Sequence, residues 1–160
     1  MEDGKSVSRT NMSLRLSGVL PPTEEVTRLL GIAPTEQGRK GEPIHLGRQQ
    51  QPVDVWILNL IERSEWEADL PLPEAIARAA DTLRRVTPGL AQLDRRVANA
   101  ELWISTIREE AMGGFGIPSE IVAAAGAAQL EISVSVLIIL EDDEDDVIEA
   151  EEGEAANPEV

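Results

Sequence analysis

The densest group of side chains able to do chemistry lies in APTEQGRKGEPIHLGRQQQP, residues 33–52, where Arg39, Lys40, His45 and Arg48 gather within an otherwise acidic chain. Guanidinium and ammonium groups set among Gly38, Gly41 and Gly47 could close on a phosphate or carboxylate, the arginines binding in a fork. The spacing is not that of a phosphate loop, GxxxxGK[ST], and a solvated loop is the simpler reading of the same residues. His45 is the only histidine, which excludes any internal site needing two imidazoles. Spacing gives it no partner carboxylate or co-ligand, so it reads as a surface histidine.

The carboxylates are weaker candidates. Glu109, Glu110 and Glu120 flank the MGGFG turn, and a two-carboxylate hydrolase would need such a pair. No spacing raises them above chance. The run beginning EDDEDD at Glu141 invites a calcium loop, but read from Asp142 it places Val147 where the sharp turn needs glycine, so no metal site is assigned. Cysteine is absent, which removes disulfides, thiolate metal sites and a cysteine nucleophile. No catalytic residue and no cofactor are expected. Of the three tryptophans, Trp56 and Trp103 fall in strand patterns and suit core packing. Trp66, in ERSEWEADLP, sits among charges and is the candidate partner contact.

The elements that must position these groups follow from hydrophobic periodicity. Two-residue alternation marks strands around Leu14–Leu16, Val53–Leu58, Val97–Ile107 and Leu130–Leu140, the last with one uninterrupted apolar face. Between them lie three helices. PPTEEVTRLLG has prolines and acids at its start and glycine at its end. Pro73 to about Val86 repeats apolar residues at i, i+3, i+4 and i+7, with Thr87-Pro88-Gly89 as its stop. The third starts at Pro118-Ser119-Glu120 and stops near Gly126. The order β-α-β-α-β-α-β predicts a ferredoxin-like α+β sandwich, a mainly antiparallel four-stranded sheet with helices on one face. Its last strand would lie at an edge although it is the most apolar of the four, so either the topology is a different one or the edge is covered, with a second copy of the chain pairing through residues 130–140 as the candidate cover.

Charge divides the chain unevenly. Thirty acidic and 14 basic residues among 160 give a net charge of −16, yet residues 141–160 alone hold eleven carboxylates and no basic residue. The remaining 140 residues carry 19 acids against 14 bases, net −5. The expected division is a flexible N-terminus over 1–11, one α+β domain over 12–140, and a disordered acidic tail over 141–160. Net negative charge argues against nucleic-acid binding and for basic partners. The first residues lack the apolar stretch of a secretory signal, and the longest apolar run, IVAAAGAA, is far below the roughly 18–20 residues that span a bilayer. A cytoplasmic protein without membrane contact is the expectation.

LRLSG, PPTEEVTRLLGIAPT, KGEPI and the tryptophan of VWILNL, followed by a closing helix and an alternating strand, resemble the bacterial family known as domain of unknown function 4279 (DUF4279). The similarity runs from about Met12 to Leu140, with matching positions at Gly18, Leu30, Gly31, Pro34, Thr35, Gly41 and Trp56. It implies a small cytoplasmic bacterial protein rather than an activity. Small acidic α+β proteins of this kind are also similar to immunity proteins of toxin systems, which neutralise basic toxin domains by electrostatic complementarity. The expected function is therefore a non-enzymatic interaction protein, in its specific form an immunity-type inhibitor. The alternative is a binder of small phosphate or carboxylate ligands that uses the 33–52 loop.

Overall fold

The computed structural model of the chain describes residues 9–44, 49–67, 69–109 and 113–139. The elements run β1 (Arg9–Gly18), α1 (Thr23–Leu30), β2 (Glu36–Gly38), β3 (Asp54–Ile61), β4 (Trp66–Glu67), β5 (Leu70–Pro71), α2 (Pro73–Leu90), β6 (Ala98–Arg108), α3 (Ser119–Ala127) and β7 (Glu131–Ile138). The chain is thus mixed α+β.

The predicted four-stranded ferredoxin-like sheet is corrected. The main sheet has five strands in the order β2-β3-β1-β6-β7, and β4 and β5 form a separate two-stranded ribbon. Both neighbours of β1 run antiparallel to it, whereas β7 is parallel to β6. The physical reason is local: α3 carries the chain from β6 to an adjacent strand, and a helical crossover between neighbours makes them parallel. In the ferredoxin-like arrangement the last strand would return beside the first. β7 does lie at an edge, but beside β6.

Strand alternation divides the sheet into two faces. Leu14 and Leu16 of β1, Trp56 and Leu58 of β3, and Leu102 and Ile104 of β6 are buried in one core with Val26 and Leu30 of α1, Ala79 and Leu83 of α2, and Ile121 and Ala125 of α3. The helices therefore cover this face. A bulge opposite Met12 lets the consecutive residues Leu60 and Ile61 both be buried. The other face carries Ser13, Arg15, Glu101 and Trp103, and no described helix lies against its central rows.

Two boundaries differ from expectation. β1 begins at Arg9, so residues 9–11 are in the sheet rather than in a flexible terminus; they pair with Ile107, Thr106 and Ser105 of β6, and the Thr10 and Thr106 hydroxyls share a 2.9 Å hydrogen bond in the core. α2 continues through Pro88 to Leu90. Proline is tolerated there because only one hydrogen bond near the helix end is lost, and Thr87 Oγ1 donates to the Leu83 carbonyl in the same turn at 2.7 Å. Gly89 does not stop the helix. A side chain there would run into the Leu29 carbonyl, so glycine permits the close approach of α1 and α2.

Candidate functional site

The 33–52 segment is ordered by backbone pairing over its described residues. β2 pairs with β3, and beyond Gly38 an arm closes through Gly41 N–H to the Gln51 carbonyl (2.8 Å), Gln51 N–H to the Glu42 carbonyl (2.7 Å) and a bridge between Pro43 and Gln50. Arg39 does not stand free for an anion. Its guanidinium donates to the Pro21 carbonyl at 2.9 Å and the Leu20 carbonyl at 3.3 Å, and lies 3.5 Å from Asp54. Lys40 is exposed, and it is its backbone N–H that is engaged, donating to Asp54 Oδ1 at 2.9 Å. His45 and Arg48 lie outside the described residues. Asp54, which carried no signal in the sequence, is the hub: it accepts from the N–H groups of Lys40 and Leu20 and faces Arg39. The Lys40 N–H chiefly, with the Leu20 N–H and the Arg39 charge, holds its carboxyl below the usual value against an upward push from burial.

Trp66 is corrected as a partner contact. It is only 9% exposed and belongs to the core, because the β4–β5 ribbon folds its strand back and pairs it with Pro71. The charges around it point elsewhere: Glu65 takes an ion pair from Arg78 of α2, which draws its carboxyl below the usual range. Glu120 sits 3.6 Å from Arg84, and Glu110 lies outside the described residues. Among the described residues no three metal-ligating side chains cluster, and no helix is long and apolar enough to cross a membrane.

The residues that carry the family resemblance serve the backbone. Gly18 has φ +113°, and a side chain there would strike the Val97 carbonyl, so only glycine lets β1 leave the sheet at that point. Gly31 N–H caps α1 on the Thr27 carbonyl at 2.8 Å. Thr35 Oγ1 accepts from Asn59 N–H at 2.9 Å, and Trp56 is buried beneath the helices.

Two places remain where side chains are presented rather than consumed. The first is β7. On the helix side of the sheet Ile132, Val134, Val136 and Ile138 are all exposed, Val136 at 52%, because they lie beyond the cover of α3; Leu137 on the other side is 55% exposed and Ile139 follows it. The remaining exposed apolar residues form no comparable row; Val19 and Val97 meet as one pair, where the Val19 N–H donates to the Val97 carbonyl at 2.9 Å. β7 also has no partner on its outer edge among the described strands, leaving outward N–H and C=O groups.

The second place is the centre of the open face. Arg15 lies between Ile57 and Glu101 across the strands, with its guanidinium 5.1 Å from the centre of the Trp103 ring. Its Nε is 3.9 Å from Glu101 Oε1, while the other Glu101 oxygen accepts from Ser133 Oγ at 2.6 Å. Neither residue stood out in the sequence, because each looks like an ordinary polar position of an alternating strand.

Residues 8–138 match the family model described as Domain of unknown function (DUF4279). No curated protein and no solved structure matches the chain.

Proposed function

The chain belongs to the DUF4279 family, a membership that brings no activity with it, and we propose from its geometry a non-enzymatic interaction protein that takes an extended segment of a basic partner as a sixth strand on β7. The single observation that carries this reading is the open edge of β7 with its contiguous exposed apolar row. An added strand satisfies the outward backbone groups, and its alternate side chains cover Ile132, Val134 and Val136. Charge selects the partner. Eleven carboxylates follow in the sequence directly after this strand, over 141–160, so a basic segment is attracted to the edge while a second copy, itself at −16, is repelled at low salt. In its specific form the partner is a basic toxin domain and the protein its cytoplasmic, bacterial immunity factor.

Fluorescence anisotropy with two labelled peptides tests the reading, one alternating lysine with valine and one alternating glutamate with valine. The expected result is binding of the lysine peptide that weakens with salt and is lost in a chain ending at Leu140 or carrying lysine at Val136. Equal binding of both peptides, no binding of either, or a dimer at every concentration that occupies the edge would overturn it.

A further inference from the structure

The open face holds a cavity bordered by the 33–52 segment, though Arg39 and Lys40 do not line it, and β7 does not reach it. It measures about 510 Å³ and lies between the sheet and the described residues 38–44 and 49–51 of the arm, lined by Arg15 of β1, Val55 and Ile57 of β3, Glu36 of β2, and Glu42 and Ile44 of the arm. That volume falls in the ordinary range of small-molecule sites, roughly 300–1,000 Å³.

Arg15 is the unusual member. Its side chain is one-third exposed, and it donates no hydrogen bond to any described residue. The 3.9 Å separation from Glu101 is too long for one, and Nε is buried with no acceptor at all. Glu101 accepts from Ser133 instead, and the guanidinium carbon lies 5.1 Å from the centre of the Trp103 ring. A half-buried guanidinium with an uncommitted fork is matched by a carboxylate bound through two parallel hydrogen bonds. The opposite side of the cavity has the opposite charge. Glu36 lies in the same cross-strand row as Ile57 and Arg15, two strand spacings or roughly 10 Å away. Glu42 is held nearby by the Arg39 N–H, which donates to its Oε2 at 3.0 Å. Val55 and Ile57 supply an apolar surface on the strand between.

A plain anion would meet Arg15 but would share the cavity with two carboxylates. A plain cation would meet those carboxylates and leave the arginine unsatisfied. We infer that the cavity binds a zwitterion of the amino-acid or dipeptide class, with its carboxylate on Arg15, its ammonium at Glu36 and Glu42, and an apolar side chain against Val55 and Ile57. This site is independent of strand addition at β7 and lies on another surface of the sheet.

Isothermal titration calorimetry with leucine, leucyl-leucine, N-acetyl-leucyl-leucine and leucyl-leucinamide tests it on the full chain. The expected result is heat from a zwitterion, with each blocked dipeptide weaker by about tenfold or more. Arg15→Lys, which keeps the charge but loses the fork, and Glu36→Gln should each weaken leucyl-leucine by a similar factor. Glu36 is exposed on a short strand, so its variant keeps the fold even where Arg15→Lys does not, and a circular-dichroism melt checks both. The inference is overturned by the absence of heat from leucine and leucyl-leucine at about 10 mM. It is equally overturned by an acetylated peptide that binds as tightly as the free one, or by a folded Glu36→Gln with unchanged affinity.

Discussion

The two edges of the five-stranded sheet are built in opposite ways. At one edge β2 is three residues long, carries Glu36, and passes at once into an arm whose backbone groups pair with one another. Asp54 and Arg39 then fasten this arm to the turn after β1. At the other edge β7 is eight residues long, has no charge after Glu131, and shows apolar side chains to solvent. Short, charged and self-paired edges resist further pairing, whereas long apolar ones invite it. Among the described residues the chain therefore closes one edge and leaves the other open. That contrast is why β7 reads as a surface for a partner.

The largest expected effect comes from giving β7 the defences of β2. Val134→Lys with Val136→Lys places two charges on the exposed row, and peptide binding at the edge should fall by at least about 100-fold, close to 3 kcal/mol. Stability should change by less than about 1 kcal/mol, since both side chains are already half in water. Anisotropy and urea denaturation on one preparation separate the two quantities. A loss of stability as large as the loss of binding would mean that the row packs within the chain and the edges are alike.

Next in size is the removal of the fastening at the closed edge. Asp54→Ala leaves the N–H groups of Leu20 and Lys40 without their acceptor and Arg39 without its countercharge, a loss of about 2 kcal/mol in urea unfolding. Peptide binding at β7 should not change, since β1 and β6 lie between β7 and β3, the strand that carries Asp54.

The same carboxylate gives a smaller, pH-dependent form of that prediction. Its folded pKa lies below the ordinary value of 3.8, so its stabilisation is complete above that value and disappears as pH falls through the folded one. The difference in urea midpoint between the parent chain and Asp54→Asn should therefore shrink between about pH 7 and about pH 3. Glu65, drawn down by Arg78, contributes to the acid limb of both chains and cancels in the comparison. A difference that stays constant would mean that Asp54 acts through shape alone.

Legibility in the sequence follows element length. Four long strands and three helices announce themselves by periodicity, and Gly18 and Gly31 mark ends that the backbone does make there. β2, β4 and β5 span two or three residues, too few for a period, so alternation predicts four strands where the described residues form seven. Strand order depends on where α3 lays the chain down, a tertiary fact with no trace in alternation. The charges flanking Trp66 predict exposure, whereas Glu65 and Arg78 pair outside and the indole turns inward. Arg15 and Glu101 carry no signal in the sequence because a lone charge in a strand looks solvated until the neighbouring strands are placed beside it.

The smallest predicted effect separates the two basic residues that sequence proximity put together. Arg39 is a fastener: its side chain meets two carbonyls and a carboxylate, so Arg39→Ala should cost about 1 kcal/mol. Lys40 contributes its backbone N–H, which alanine retains, so Lys40→Ala should change stability by less than about 0.5 kcal/mol. Inorganic phosphate extends the test. An anion clamp built from these side chains would raise the melting temperature of the parent chain in phosphate and lose that rise in either variant. A fastener gives no phosphate-specific rise, and the two variants then differ only by what Arg39 holds. Equal costs for both substitutions, or a phosphate effect that either abolishes, would return the loop to the role its charges first implied and leave the closed edge without its lock.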